Sequence, residues 1–134
     1  MIEVSFTQSP PMPTPDTLEC FIDRVEQNAH AEAIEEFYTP GASMQENLSP
    51  PRVGRDTLVA RERQVLARAK SVRSTCVRPV LVEGDHVVVR WIFEFEWLDG
   101  HRTRMEELAW QRWEGERIAE EQFFYDPAQL KPPL

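Results

Sequence analysis

Apolar residues recur at helical spacing in the first half of the chain and at strand spacing in the second, which predicts helices followed by strands. Leu18, Phe21, Ile22 and Val25 fall at i, i+3, i+4 and i+7, one face of a helix. Thr14 can cap that helix, Pro15 suits its first position, Asp16 suits its positive end, and Asn28 can end it. A second short helix is predicted from near Ala31, burying Ile34, Phe37 and Tyr38 until Pro40-Gly41 stops it. A brief strand over 42–46 and a loop marked by Pro50-Pro51 lead to a third helix after Gly54. On that helix Leu58, Val65, Leu66 and Ala69 form the apolar side, with Arg61, Arg63 and Arg68 largely solvated.

After Lys70 the period changes to two. Strands are predicted over 71–82, 86–97, 102–113 and 117–125, joined by turns at Glu83-Gly84-Asp85, Leu98-Asp99-Gly100-His101 and Glu114-Gly115-Glu116. Three helices followed by an antiparallel meander make an α+β fold with the helices on one sheet face. Ser9-Pro10-Pro11-Met12-Pro13 cannot sustain a helix, so 1–13 reads as an extended lead-in, 14–126 as a single domain, and 127–134 as a poorly structured tail.

Composition narrows the function classes. At 134 residues, 41% hydrophobic and 28% charged, the chain is an ordinary globular domain. A net charge of −8 argues against nucleic acid and against anionic membranes, both of which require a basic face. The N-terminus has no charged region followed by an apolar run, so a cytoplasmic protein is expected. Cys20 and Cys76 lack ligand spacing and are expected as core fillers rather than a disulfide. Three scattered histidines, His30, His86 and His101, suggest no metal cluster, and no phosphate loop or nucleophile elbow is present, so no cofactor is expected.

Four passages resemble the SnoaL-like and limonene epoxide hydrolase-like branch of the nuclear transport factor two-like superfamily. They are Ala33-Ile34-Glu35-Glu36-Phe37-Tyr38, Pro50-Pro51-Arg52-Val53-Gly54-Arg55-Asp56, the hairpin at Gly84-Asp85 with its strand, and Trp113-Glu114-Gly115-Glu116-Arg117-Ile118 through Tyr125-Asp126. In order and spacing they span 15–126. The resemblance implies a cone-shaped fold, with three N-terminal helices packed on a curved antiparallel β-sheet. It also implies a small-molecule pocket in the cone and a homodimer through the outer sheet face.

The fold alone does not name the reaction. In ketosteroid isomerase-like members a carboxylate base sits on the short strand after the second helix, and that position falls on Glu46. Their oxyanion-hole tyrosine and protonated aspartate fall on Ile22 and Ala109, which cannot donate. The limonene epoxide hydrolase positions fall on Phe123 for the water-activating aspartate, and on Met44 and Glu46 for its helpers. Its arginine–aspartate pair falls on Ile92 and Glu94. The SnoaL-type aspartate does not map securely onto Glu121 or a neighbour.

Strand alternation splits 86–97 into an aromatic face (Val87, Val89, Trp91, Phe93, Phe95, Trp97) and a mixed face (His86, Val88, Arg90, Ile92, Glu94, Glu96). Composition sends the aromatics inward, whereas the family register sends Ile92 and Glu94 into the cone. Following the register, the pocket is expected from Ile22, Met44, Glu46, Ile92, Glu94, Met105, Glu107, Ala109, Glu121, Phe123 and Tyr125, with Arg90 among the acids. The dimer face then carries Trp91, Phe93, Phe95, Leu108, Trp110 and Phe124. Carboxylates crowded in a confined space are held partly protonated or paired, which suits general acid–base chemistry by Glu46, Glu94, Glu107, Glu121 and Arg90. The alternative for Glu94 and Glu107 is an ion-pair lattice with Arg90 that carries no chemistry.

Three functions remain open at this point: a cofactor-independent acid–base enzyme acting on a largely apolar or aromatic molecule (isomerase, cyclase, hydratase or hydrolase); a non-catalytic binding module; and a dimeric assembly unit with a vestigial pocket.

Overall fold

The structure is a computed structural model that describes residues 13–131. Apart from Pro13, the expected lead-in lies outside the described residues, as do residues 132–134 of the tail.

Helix α1 (Pro15–Glu26) begins as its sequence requires, with Thr14 as N-cap and Pro15 in the first turn. Glu116, at the turn between the last two strands, accepts bonds from the Thr14 amide (2.8 Å), the Thr14 hydroxyl (2.9 Å) and the Thr17 hydroxyl. The start of α1 is thereby tied to the sheet. Its predicted stripe of Leu18, Phe21, Ile22 and Val25 is buried throughout. Helix α2 (His30–Phe37) runs directly into strand β1 (Tyr38–Glu46), so Pro40 and Gly41 lie in a strand rather than ending a helix. The strand takes up their irregularity as a register shift between Tyr38 and Ser43.

After β2 (Arg52–Val53), Gly54 holds φ at 104° and its N–H donates to Ala42 O at 2.8 Å. That backbone geometry strains any side chain, and it aims helix α3 (Arg55–Ala67) back across the sheet. The remaining strands are β3 (Ala69–Glu83), β4 (His86–Trp97), β5 (Arg102–Glu114) and β6 (Arg117–Phe124), followed by a short 3-10 helix, Pro127–Leu130. Part of the expected unstructured tail is therefore ordered.

The sheet order is β2-β1-β6-β5-β4-β3. The β3–β6 meander is antiparallel as expected, but β1 pairs in parallel with β6, which makes the sheet mixed. Three helices pack on one face of this curved sheet. Phe21 is the pivot of the core, in edge or tilted contact with Phe37, Tyr38, Trp91 and Trp113 at 5.6, 6.2, 6.5 and 5.8 Å between ring centroids. Cys76 is partly buried, but Cys20 is exposed, so the expectation of two core fillers fails for Cys20.

The pairing of β4 with β5 decides which face looks inward. Directly opposed residues in an antiparallel ladder share a face. Trp91 opposes Glu107, Phe93 opposes Met105 and Phe95 opposes Thr103, whereas Arg90 opposes Leu108, Ile92 opposes Glu106 and Glu94 opposes Arg104. Glu107 and Met105 therefore bring the aromatics of β4 inward with them. The expectation that put Ile92 and Glu94 beside them joined residues from opposite faces. Trp91, Phe93 and Phe95 are consequently absent from the outer face. Leu108, Trp110 and Phe124 are on it, 45%, 50% and 42% exposed.

Candidate functional site

Between the helices and the sheet lies a cavity of about 650 Å³, a volume suited to a drug-sized organic molecule. Its floor is aromatic. Trp91, Phe93, Phe95 and Trp97 follow one another at every second position of β4, with Trp91 stacked on Phe93 at 5.5 Å and Phe95 on Trp97 at 4.6 Å. Helix α3 presents Leu58, Arg61, Glu62 and Val65 to the cavity, one side of the helix, and Arg68 follows at its C-cap.

The neighbouring strands β5 and β6 contribute the buried Glu107 and Glu121 to the cavity lining, and β1 contributes the more exposed Glu46. Glu121 is 3% exposed, and both of its oxygens are engaged. One accepts from the Tyr38 hydroxyl; the other accepts from Gln111 Nε2 at 2.6 Å. The Trp113 indole N–H donates to Gln111 Oε1 at 3.0 Å, which fixes which end of the amide faces the acid. Burial pushes Glu121 up to about 7, against the lowering effect of its two donors. Burial, and then the Glu121 charge, push the Tyr38 hydroxyl well above its ordinary range, so the proton between the two stays on the tyrosine.

Glu107 is 7% exposed and, among the described residues, its carboxyl makes no side-chain hydrogen bond. No buried side-chain polar atom there lacks a partner, so the free Glu107 oxygen surface faces the cavity it lines. Burial pushes Glu107 up to about 8, assisted by the charges of Glu121, Glu46 and Glu62. At neutral pH it is predominantly a neutral acid with a proton to donate. Glu46 is bridged by Arg52 at 3.4 Å and remains partly open to solvent. The Tyr125 hydroxyl lies in the fields of Glu46 and Glu107 and is raised, first by burial and then by those charges.

A second polar cluster sits on the helical wall. His30 Nδ1 lies 3.2 Å from Glu62 Oε1, His30 Nε2 lies 2.7 Å from Ser74 Oγ, and the ring edge rests on Phe93 at 5.2 Å. Ser74 donates onward to Asn28 Oδ1 at 2.9 Å.

Of the residues expected in the site, Met44, Glu46, Met105, Glu107, Glu121, Phe123 and Tyr125 line the cavity. Ile22 and Ala109 are fully buried in the core beside it. Arg90, Ile92 and Glu94 are on the opposite face, a correction that follows from the strand pairing. There Arg90 bonds Glu106 at 2.8 Å and Glu94 lies 3.7 Å from Arg104, the lattice arrangement held open as the alternative for Glu94. Glu107 is not in that lattice. The expectation missed Tyr38, His30, Glu62 and the β4 aromatics as cavity residues. Alternation in β4 carried the aromatic signal, while the His30–Glu62 contact, 32 residues apart, has no sequence signature.

The architecture recurs in solved structures. A protein assigned as a SnoaL-like polyketide cyclase from Jannaschia sp. CCS1 superposes with a TM-score of 0.70 at 17% identity, covering 91% of this chain and 99% of its own. An LEH-like epoxide hydrolase of M. tuberculosis gives 0.69 at 12% identity, covering 85% and 83%. TerC, co-crystallised with polyporic acid, gives 0.70 at 14% identity, covering 86% and 92%. At these identities the likeness is one of fold. No curated protein matches the sequence. The sequence model of the SnoaL-like domain matches residues 18–121, most of the chain, and with the cone, the sheet order and the cavity in place, this protein belongs to the SnoaL-like family.

Proposed function

We propose that this protein is a cofactor-independent acid–base enzyme acting on a small, largely apolar carbonyl compound. The observation that carries this reading is the buried carboxyl of Glu107, which lines an apolar cavity shared with the more open Glu46 and is pushed up to about 8 by that burial. Glu107 hydrogen-bonds the substrate carbonyl oxygen, a task that Ile22 and Ala109 cannot perform. Glu46 removes the proton from the adjacent carbon and the electron pair moves onto the carbonyl oxygen. Return of the proton to a different carbon of the conjugated system completes an isomerisation, while attack of the enolate carbon on a second carbonyl of the same molecule, with the proton passed to the new alkoxide, closes a ring. Glu121, enclosed by Tyr38 and Gln111, touches no substrate and acts as a positioning residue that keeps Glu107 protonated. The crystallised neighbour TerC with polyporic acid supports a small organic occupant for a cavity of this fold.

The test is deuterium uptake from heavy water into a panel of aryl ketones and quinones, followed by proton NMR. Exchange that falls by about two to four orders of magnitude in folded Glu46→Gln supports the reading. Exchange that slows as pH rises past about 8 assigns the acid role to Glu107. Ligand binding without exchange anywhere in the panel would leave a non-catalytic binding module, the reading favoured by the Arg52 bridge that already occupies Glu46.

A homodimer across the outer sheet face belongs to the same proposal. Leu108 and Phe124 are directly opposed there, and Trp110 lies two positions along the same strand, packed beside His86 at 5.6 Å. Arg90, Arg104, Arg112, Glu106 and Glu120 surround them with charges of both signs.

A further inference from the structure

The rim of the cavity holds charges of both signs, and they are not evenly satisfied. Each acid on it has a contact within the protein: Glu46 with Arg52 at 3.4 Å, Glu62 with His30 at 3.2 Å, and Asp99 with His101. Two cations on α3 and at its end, Arg61 and Arg68, also line the cavity. Among the described residues neither takes part in any ion pair. Away from the cavity Arg24, Arg63, Arg78, Arg90, Arg104 and Arg112 have carboxylates, whereas Arg73 and Arg117 have none among the described residues.

Arg68 is also held in place. Its backbone carbonyl accepts the Leu98 amide at 2.9 Å, tying the end of α3 to the β4–β5 turn. Its guanidinium carbon lies 6.0 Å from the centre of the Trp97 ring. Trp97 is fixed in turn by its indole N–H, which donates to Thr103 Oγ1 at 3.0 Å, and by stacking between Phe95 and His101 at 4.6 and 6.1 Å. Arg61 lies seven residues before Arg68, two turns back along the same side of the helix. The mouth thus pairs an aromatic platform with two guanidinium groups that no carboxylate of the described residues engages.

We infer that this mouth reads an anionic group, and that the natural ligand is an aromatic or apolar organic acid. Its carboxylate or acidic enolate is held at Arg61 and Arg68, while its apolar body lies along Phe95, Phe93 and Trp91 toward Glu107. The inference deepens the acid–base proposal by naming the substrate class, and it rests on the same cavity. Guanidinium groups suit planar carboxylates because they offer paired donors in a fixed fork. The net charge of −8 repels anions at a distance, so a preference for an acid has to be made locally, at these two side chains.

Matched probes test it: 2-naphthoic acid against 2-naphthamide, titrated by quenching of the cavity tryptophans at neutral pH and low salt. The expected result is acid binding about tenfold or more tighter than the amide, the scale of a charge-assisted hydrogen bond. In Arg61→Gln/Arg68→Gln, with the far-UV circular dichroism of the wild type, the acid falls to the affinity of the amide and the amide is unchanged. Equal binding of both probes to the wild type overturns the anion-reading mouth and leaves the acid–base proposal standing. A preference that survives the double substitution also overturns it, and so does binding of neither probe.

Discussion

At the scale of single residues the central group is the buried carboxyl of Glu107. A carboxyl group raised to about 8 in the folded state, against an ordinary value of 4.5, binds its proton more tightly folded than unfolded. The stability it contributes is fully present below about 4.5 and is lost as pH rises through about 8. Glu121 adds a loss of the same sign, complete by about 7. Wild-type protein should therefore melt lower at pH 8 than at pH 5. At about 1.4 kcal/mol per pKa unit, the Glu107 share is on the order of 2–4 kcal/mol once cavity water is allowed for. Glu107→Gln keeps the shape and removes the titration, so its melting temperature should gain several degrees on the wild type between pH 5 and pH 8. Calorimetric melting at both pH values checks this, and a constant difference between the two proteins would show that Glu107 ionises freely.

The elements show why part of the site was legible in the sequence and part was not. Helix α1 was readable to its cap, because Thr14, Pro15 and the stripe from Leu18 to Val25 are local signals that tertiary contacts have no reason to override. Glu46, Glu107 and Glu121 were expected in the cone from the family register, and all three line the cavity. Strand β4 was assigned to the wrong face because a family alignment outweighed its own alternation, and a one-residue slip inverts every side chain. Helix α3 reads as expected, with Arg61, Arg63 and the following Arg68 exposed, but nothing local in the sequence shows that Arg61 and Arg68 also edge the cavity. The register has a direct energetic check. Trp91 is 2% exposed, so Trp91→Ala should cost about 3–5 kcal/mol in urea denaturation, while Glu94→Ala on the outer face should stay within about 0.5 kcal/mol. Comparable losses would return Glu94 to the interior.

For the whole molecule, the proposed assembly rests on the outer face of the sheet. With Trp91, Phe93 and Phe95 turned inward, the apolar patch shrinks to Leu108, Trp110 and Phe124, each about half exposed. An aromatic side chain buries roughly 150–250 Å², so the patch is near the lower end of the roughly 300–600 Å² common on monomers. A stable interface covers about 800 Å² per partner, and the rest must come from the charged ring. That ring suits a two-fold axis, because Arg90, Arg104 and Arg112 alternate with Glu106, Glu114 and Glu120 along β5 and its neighbours, and a rotated copy sets unlike charges against each other. The expected species is a homodimer that forms at micromolar concentration and loosens in high salt, since exposed ion pairs are screened. Trp110→Glu puts a charge at the centre of the apolar patch without touching the cavity, and it should leave a folded monomer. Light scattering over a dilution series checks both proteins. A wild type at 15.6 kDa at every concentration would remove the dimer, and the cavity, which one chain completes alone, would be unaffected.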